Sequence, residues 1–170
     1  GNQVLQRLLD FARGVPQDVA DVHLDVLLPD VVALCKAHPA SRGIVIRTEI
    51  GGDLPPVRAD ASQLHEVVVN LVLNALQAIT GGGTVTIGAA CRGSEVTICV
   101  ADTGCGIPAE DIERVFEPFF SRKLHGPPGS GIGLSSSQRM VRAMGGDIHV
   151  ESQVGEGATF TIVLPRSPGG

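Results

Sequence analysis

Residues 63–79 read QLHEVVVNLVLNALQAI, and this run decides the fold because it is apolar on nearly every side of a helix. Such a helix is buried on most of its surface. At about 100° per residue, its polar side chains fall within an arc of about 80°, with His65 alone on the opposite side. The stripe consists of Gln63, Glu66, Asn70, Asn74 and Gln77. We therefore predict a long buried helix over residues 61–80 with one polar stripe.

The polar stripe is unusual in its composition. Solvated helix faces usually carry Lys, Glu and Arg, whereas Asn70 and Asn74 are poor helix formers. With Glu66 one turn earlier, they present a ladder of oxygens, and amide and carboxylate oxygens are ligands of Mg²⁺. The stripe favours a ligand site, with a plain polar helix face as the alternative.

A second motif, DTGCGIP at residues 102–108, directly follows the apolar run at 96–101. Gly104 and Gly106 allow the backbone to bend sharply and to approach a flat ligand. Asp102 offers an acceptor to an exocyclic amine. An ordinary tight turn, with Asp as a turn former, is the alternative.

A third motif, GSGIGL at residues 129–134, leads into a predicted helix. Free backbone amides and the positive end of a helix dipole favour phosphate oxygens. The spacing differs from the Walker A loop, because no Lys follows, and from the dinucleotide fingerprint, because no early βαβ unit encloses it. A plain junction between loop and helix is the alternative.

Between these motifs lies FEPFFSRK at residues 116–123, which gathers three of the five Phe beside two cations. The Phe cluster predicts a hydrophobic anchor for the following loop. Arg122 and Lys123 are placed to reach a terminal phosphate. Residues 121–130 are rich in Gly and Pro, which suits a lid over a nucleotide.

The order of predicted elements favours an α/β (α+β) two-layer sandwich. Strands and helices come in groups, which indicates a mixed, mostly antiparallel sheet with helices on one face. Residues 22–36 are interpreted as a strand over 22–28 that enters a helix. Further strands are predicted over 44–50, 84–91, 95–101, 147–152 and 158–164, and further helices over 3–13, 109–116 and 131–144.

Composition excludes several classes of protein. A chain of 170 residues is long enough for one well-packed domain. With 13 basic and 18 acidic residues, the net charge of −5 argues against a nucleic-acid partner. The four Cys lack the spacing of a zinc site. No run approaches the roughly 20 apolar residues of a membrane span, so we expect a cytoplasmic domain, which leaves open whether the full-length protein is membrane-anchored.

In order and spacing, the four motifs resemble the N, G1, F and G2 boxes of the histidine kinase branch of an ATPase superfamily. That superfamily, also called GHKL or Bergerat-fold, includes DNA gyrase, Hsp90-type chaperones and MutL proteins. The resemblance covers about residues 60–165. The Phe-rich segment matches the F box, which the other branches lack. Many members have Lys at the position of Gln77. A Gln at this position is more similar to the nitrogen-regulation and oxygen-sensing kinases.

The resemblance implies a site for ATP or ADP and Mg²⁺. It implies that Asn70 and Asn74 hold Mg²⁺ and phosphates, with Asn70 as the metal ligand, and that Asp102 binds the adenine amine. The implied catalytic residues are Glu66, Asn70 and Lys123, where Glu66 either orders metal-bound water or acts as a base. The implied ATP-binding residues are Asn70, Asn74, Gln77, Asp102, Gly104, Gly106, Ile107, Phe120, Arg122, Lys123, Ser130, Gly131, Ile132, Gly133, Leu134 and Thr159.

The resemblance also implies partners. Residues 1–14 resemble the end of a dimerisation helix, 15–166 form the catalytic domain, and 167–170 form a tail. None of the five His has the sequence context of a phosphoacceptor, so we expect transfer of the γ-phosphoryl group to a His on a helical domain missing from this chain. The expected partners are that domain, a cognate response regulator, and a second copy in a homodimer. A nucleotide-gated binding module, or an anti-sigma-factor serine kinase or ATP hydrolase of the same fold, are alternatives.

Overall fold

The computed structural model describes residues 2–12, 15–118, 120 and 132–168. A five-stranded sheet has the order β2-β4-β5-β7-β6, and a two-stranded sheet pairs β1 with β3. The strands are β1 (Val19–Val22), β2 (Ile44–Ile50), β3 (Val57–Asp60), β4 (Gly83–Arg92), β5 (Glu95–Asp102), β6 (Asp147–Gln153) and β7 (Gly157–Pro165). The helices are α1 (Asn2–Ala12), α2 (Leu24–Lys36), α3 (Ala61–Gln77), α4 (Ala109–Ile112) and α5 (Ile132–Ala143), with a short 3-10 helix at Pro39–Ser41.

The larger sheet is buried on one face, as its alternating sequence predicts. Along β5, Val96, Ile98 and Val100 are buried, and the residues between them are partly exposed. Helices α2, α3 and α5 pack against the sheet, and α3 packs against both α2 and α5. Strands β2 and β4 run parallel, and all other neighbours in this sheet are antiparallel. The predicted two-layer sandwich with a mixed, mostly antiparallel sheet is confirmed.

Helix α3 lies at the centre of the helical layer, where it contacts both α2 and α5. It begins at Ala61 because the side chain of Asp60 accepts hydrogen bonds from the N–H groups of Ser62 and Gln63. It ends at Gln77, earlier than the predicted residue 80. The Gly run at 81–83 therefore does not terminate it, and Gly83 already belongs to β4.

The prediction of a strand over residues 22–28 is wrong, since β1 ends at Val22 and α2 begins at Leu24. The buried positions of α2 follow helical spacing. The same spacing is visible in the sequence from Leu24 onward, so the pattern favours a helix there. Pro29 is tolerated within this helix. The buried residues of α2 are Leu24, Leu27, Leu28, Val31, Val32 and Cys35.

Three further boundaries differ from the predictions. Strand β3 was not predicted, because four residues after two Pro carry little periodicity. Helix α4 covers only Ala109–Ile112, since the next turns are closed by bonds between residues three apart, such as Arg114 N–H to Asp111. Ser167 is buried, and its N–H donates to the carbonyl of Pro56, so it belongs to the fold and not to a tail.

Over the described ranges, no helix combines the length and the apolar character needed to cross a membrane.

The packing of α2 predicts a difference between two of its leucines. Leu28 is fully buried and Leu34 is 53% exposed. Leu28→Ala should lower the free energy of unfolding by about 2–5 kcal/mol, because it leaves a cavity in the core. Leu34→Ala, the matched control on the same helix, should change it by less than about 0.5 kcal/mol. Urea unfolding measures both, and equal losses would contradict the packing of α2.

Candidate functional site

One wall of the candidate site is formed where α3 meets the start of α5. Asn70 is half-buried on α3, and its Nδ2 lies 3.5 Å from the Oγ of Ser137, a long contact. Ser137 is fully buried. A Cβ at Gly133 would lie 4.0 Å from the Asn70 amide, so the start of α5 is beside Asn70. With Nδ2 directed at Ser137, the Asn70 Oδ1 is left for a ligand.

The other wall begins at Asp102, the last residue of β5, which is 7% exposed. Its Oδ1 accepts the N–H of Gly104 at 2.8 Å and the N–H of Ala158 at 3.3 Å. Both bonds fall on Oδ1, so Oδ2 is the oxygen available to a ligand's donor. Burial raises the pKa of the Asp102 carboxyl, although the two N–H bonds lower it in part.

The loop after Asp102 is fixed by close backbone contacts on two sides. Cys105 N–H donates to the carbonyl of Ala78, which follows α3. On the other side, Gly155 N–H donates to the carbonyl of Cys105, and Ile107 N–H donates to the Ser152 Oγ at 2.7 Å. The loop is therefore held between the end of α3 and the turn that joins β6 to β7.

Three glycines are required in this arrangement, because a side chain would meet backbone atoms. A Cβ at Gly104 would lie 2.4 Å from the Ala78 oxygen, and one at Gly106 would lie 2.3 Å from the Gln153 oxygen. A Cβ at Gly157 would lie closer still, 1.9 Å from the backbone carbonyl oxygen of Asp102. Gly104 and Gly106 were predicted from the motif. Gly157 was not predicted, although it follows Gly155 at a spacing of two.

Helix α3 connects the two walls. It carries Asn70 beside α5, and its end at Ala78 binds the loop of Asp102. Ala78 follows Asn70 by eight positions, which corresponds to about 12 Å along the helix axis. The structure therefore brings Asn70 to the described part of the predicted G2 motif at Gly133, and brings the end of the same helix to the predicted G1 loop, with Asn74 half-buried between the two walls.

The polar stripe of α3 divides into two parts. Glu66, one turn before Asn70, and Gln77, the last residue of the helix, are both exposed. Gln63 is instead 8% exposed, and its Nε2 donates to the carbonyl of Val15 at 3.1 Å. Gln63 therefore belongs to the packing of the segment before β1 and does not continue the stripe into the site.

The structure does not bring Thr159 to Asp102, so its geometry does not support the prediction that Thr159 binds ATP. Thr159 pairs with Ala101 and with Glu151 in the sheet, and paired residues share a face. Asp102 follows Ala101 and faces the opposite side of the sheet, towards the helices. The neighbouring residue Ala158 reaches Asp102 instead, through its backbone N–H.

The Phe-rich segment is packed on the core at its start. The rings of Phe116 and Phe160 meet edge to face, with centroids 6.1 Å apart. The guanidinium of Arg114 lies 4.7 Å from the centroid of the Phe120 ring. These contacts support the anchor interpretation, and they give Phe120 a partner within the fold.

Part of the predicted site falls outside the described residues. This applies to residues 121–131, which include Arg122, Lys123, Ser130 and Gly131 and the predicted lid. Ile132 is the first residue of α5, and Gly133 and Leu134 follow it half-buried.

A groove of about 410 Å³ lies away from this site, at the start of α2 and α3. Its lining includes His23, Asp30 and His65. His65 is half-buried there, on the side of α3 opposite the polar stripe. The groove contains none of the predicted ATP-binding residues.

Residues 59–168 match the family described as histidine kinase-, DNA gyrase B- and HSP90-like ATPase. The chain belongs to that ATPase family. Among curated relatives of this ATPase domain, the signal transduction histidine-protein kinase AtoS of Escherichia coli K12 is 36% identical over 170 residues, which cover 99% of this chain and 28% of AtoS. The chain thus spans less than a third of that relative's length.

Solved structures agree with the family. Full-length ShkA in complex with AMPPNP is 32% identical, with a TM-score of 0.81 over 94% of this chain and 34% of that chain. The catalytic domain of the histidine kinase ThkA is 28% identical, with a TM-score of 0.78 over 89% of this chain and 100% of that domain. The predicted fold, that of the ATP-binding catalytic domain of a sensor histidine kinase, is confirmed.

The buried carboxylate of Asp102 predicts opposite effects on stability and binding. Its folded-state pKa lies above the unfolded one, so ionisation opposes folding, and stability falls as the pH rises through that interval. The side chain of Asp102→Asn does not titrate. The free energy of unfolding of Asp102→Asn minus that of the parent should therefore grow as the pH rises through the same interval, and this difference should stay constant above it. The resemblance implies that Asp102 binds the adenine amine. On that expectation, the NH2 group of Asn would face this amine, so affinity for ADP should fall about tenfold to hundredfold.

Urea unfolding over a pH series, together with calorimetric titration of ADP, tests this pair of effects. Asp30→Asn, on the exposed surface of α2, is the charge-matched control. Parallel stability curves for the parent and Asp102→Asn would contradict the raised pKa, and unchanged ADP affinity would remove Asp102 from the base pocket.

The contact between Gly157 and Asp102 predicts that the same substitution has different effects at two neighbouring glycines. Gly155 and Gly157 both have positive φ, +83° and +95°, but only Gly157 meets another atom within 4 Å of an added Cβ. Gly155→Ala should cost about 1–2 kcal/mol for its backbone conformation alone. Gly157→Ala should cost about 1–3 kcal/mol more and weaken ADP binding, because it displaces Asp102. Urea unfolding and calorimetry measure both changes, and equal losses would refute the close contact.

Proposed function

We propose that this domain binds Mg²⁺ and ATP between its two walls and transfers the γ-phosphoryl group to a His on a helical domain outside this chain. The observation that carries the proposal is the placement of Asn70 and Asp102 at the two ends of one region, joined by α3. Membership of the ATPase family supports nucleotide as the ligand. AtoS, named as a histidine-protein kinase, supports His as the acceptor.

The groups around the site suit the two ends of ATP. Asp102 Oδ2 accepts a hydrogen bond from the exocyclic amine of adenine. The glycines of its loop allow the flat base to approach the backbone. At the opposite wall, the start of α5 beside Asn70 offers N–H groups and a positive dipole end to phosphate oxygens. These two chemistries require the base to lie at the loop and the phosphates to lie at α5.

The donor set near Asn70 fits Mg²⁺. The free Asn70 Oδ1 and the exposed carboxylate of Glu66 are hard oxygen ligands one helical turn apart. When bound, the ion would neutralise charge on the β- and γ-phosphates. Asn70 would ligate it directly. Glu66 would either order its water or accept the proton of the attacking group.

In the proposed transfer, the bond between the γ-phosphorus and its bridging oxygen breaks, and a bond to an imidazole nitrogen forms. ADP leaves with the bridging oxygen. The protein contributes positioning and electrostatic stabilisation. Arg122 and Lys123 are proposed to contact the terminal phosphate, with Lys123 assisting catalysis.

The partners follow from this reaction. We propose that residues 1–14 end the dimerisation helix of a homodimer, that the catalytic domain extends from residue 15 through Ser167, and that a cognate response regulator receives the phosphoryl group. α1 is consistent with a dimerisation helix, because Val4, Leu5 and Leu8 are each more than half exposed.

The metal role of Asn70 predicts the result of a substitution. Asn70→Ala should abolish Mg²⁺-dependent binding of ADP, a loss of at least about tenfold in affinity, because both the amide oxygen and the Ser137 contact are removed. Asn2→Ala on α1 is the matched control and should leave the affinity unchanged. Calorimetric titration with and without Mg²⁺ measures the effect. Equal affinity in the parent and Asn70→Ala would exclude Asn70 as the ligand.

The acceptor is tested by adding the upstream helical segment and radiolabelled ATP. Acid-labile label on that segment supports transfer to His, and its absence supports a binding module. Label on an added Ser substrate alone would favour the serine kinase.

A further inference from the structure

The carboxylate of Asp60 binds two parts of the chain at once. Its Oδ1 accepts the N–H groups of Ser62 at 3.0 Å and Gln63 at 3.3 Å, in the first turn of α3. Its Oδ2 accepts the N–H groups of Gln17 at 2.9 Å and Asp18 at 3.2 Å, directly before β1. Each oxygen thus serves a different segment, more than 40 residues apart in sequence.

This double contact is buried and reinforced by its neighbours. Asp60 is 4% exposed and pairs with Val19 in the short sheet of β1 and β3. Gln63 adds a third tie to the same segment, from its Nε2 to the carbonyl of Val15. Burial alone would raise the pKa of Asp60, but the four N–H bonds together lower it, so the group is held as a carboxylate.

We propose that Asp60 is a positioning residue that couples the segment before β1 to the nucleotide site through α3. The helix it caps carries Glu66 and Asn70, the latter about 15 Å further along its axis. A buried helix moves as a unit, so a change at its first turn reaches the metal-binding amide. The segment at 15–18 follows α1 in the chain. Under the proposed function, α1 belongs to the helical partner domain, so a change in the position of that domain reaches the nucleotide site through Asp60 and α3.

Coupling of this kind is reciprocal. If attachment of residues 17 and 18 favours the arrangement of α3 that binds nucleotide, then nucleotide must favour that attachment by the same factor. Binding of Mg²⁺ and ADP should therefore slow hydrogen exchange at the amides of Gln17 and Asp18, even though neither residue belongs to the candidate site.

One substitution separates the two roles of Asp60. Asn caps helices as well as Asp does, but it has a single side-chain oxygen. Asp60→Asn should keep the bonds to Ser62 and Gln63 and lose those to Gln17 and Asp18. We expect faster exchange at 17 and 18, no response of these amides to nucleotide, and about fivefold weaker binding of ADP. Asp25→Asn, in the exposed first turn of α2, is the charge-matched control.

A second pair of variants approaches the same bond from the other side. Gln17→Pro removes the N–H that Asp60 accepts, whereas Gln17→Ala keeps it and removes only the side chain. Gln17→Pro keeps the bond from Asp18, so it should weaken binding in the same direction as Asp60→Asn, and the two together should weaken binding no further than Asp60→Asn alone. Gln17→Ala should match the parent chain.

The experiment is amide exchange by NMR on this chain with and without Mg²⁺ and ADP, alongside calorimetry on the same samples. Protection of the amides of 17 and 18 on binding in the parent, lost in Asp60→Asn, supports the coupling. In Gln17→Pro, which has no amide hydrogen at 17, the variant is scored by its ADP affinity. Binding of ADP without any change at these amides in the parent overturns the coupling and leaves the proposed function intact. Failure of the parent chain to bind ADP overturns both, and additive losses in the double variant overturn the coupling alone.

Discussion

The hydrogen bond from the N–H of Cys105 to the carbonyl of Ala78 joins the end of α3 to the loop that follows β5. The rest of the site depends on it, because the two walls come from elements with different constraints. Asn70 is placed by the packing of two helices, and Asp102 is placed by the register of the sheet. The fixed end of α3 helps to keep these two positions in constant relation.

Tight backbone packing around that bond accounts for the glycines of the loop. Gly104 passes against the carbonyl of Ala78, and Gly106 passes against the carbonyl of Gln153, at distances that no Cβ could occupy. Two carbonyl groups thus approach the loop from opposite sides, and the chain between them cannot shift without losing hydrogen bonds. The glycines of this motif are therefore explained by the fold itself, before any ligand is considered.

The sequence predicted the parts of the site that depend on local pattern. Asn70 and Asn74 were identified because polar residues of poor helix propensity interrupted an apolar helix, and Asp102 because it follows a strand with two glycines behind it. Thr159 was misplaced, since a shift of one residue along a strand reverses the face, and the sequence alone did not fix which face carries the helices. Ser137 could not have been found, because its only signal is burial against another helix.

The error at Gln63 shows a physical limit of a helical projection. Gln63 lies within the same arc as Asn70, but the first turn of α3 is covered by the segment before β1, which no angular pattern reveals. The angle assigns a residue to a side of the helix, and what lies on that side changes along the axis. At its first turn, the polar side of α3 therefore binds this chain's own backbone, and further along it faces the site. The same stripe packs against backbone at one end and lines the candidate site at the other, which accounts for polar residues along a helix that is otherwise largely buried.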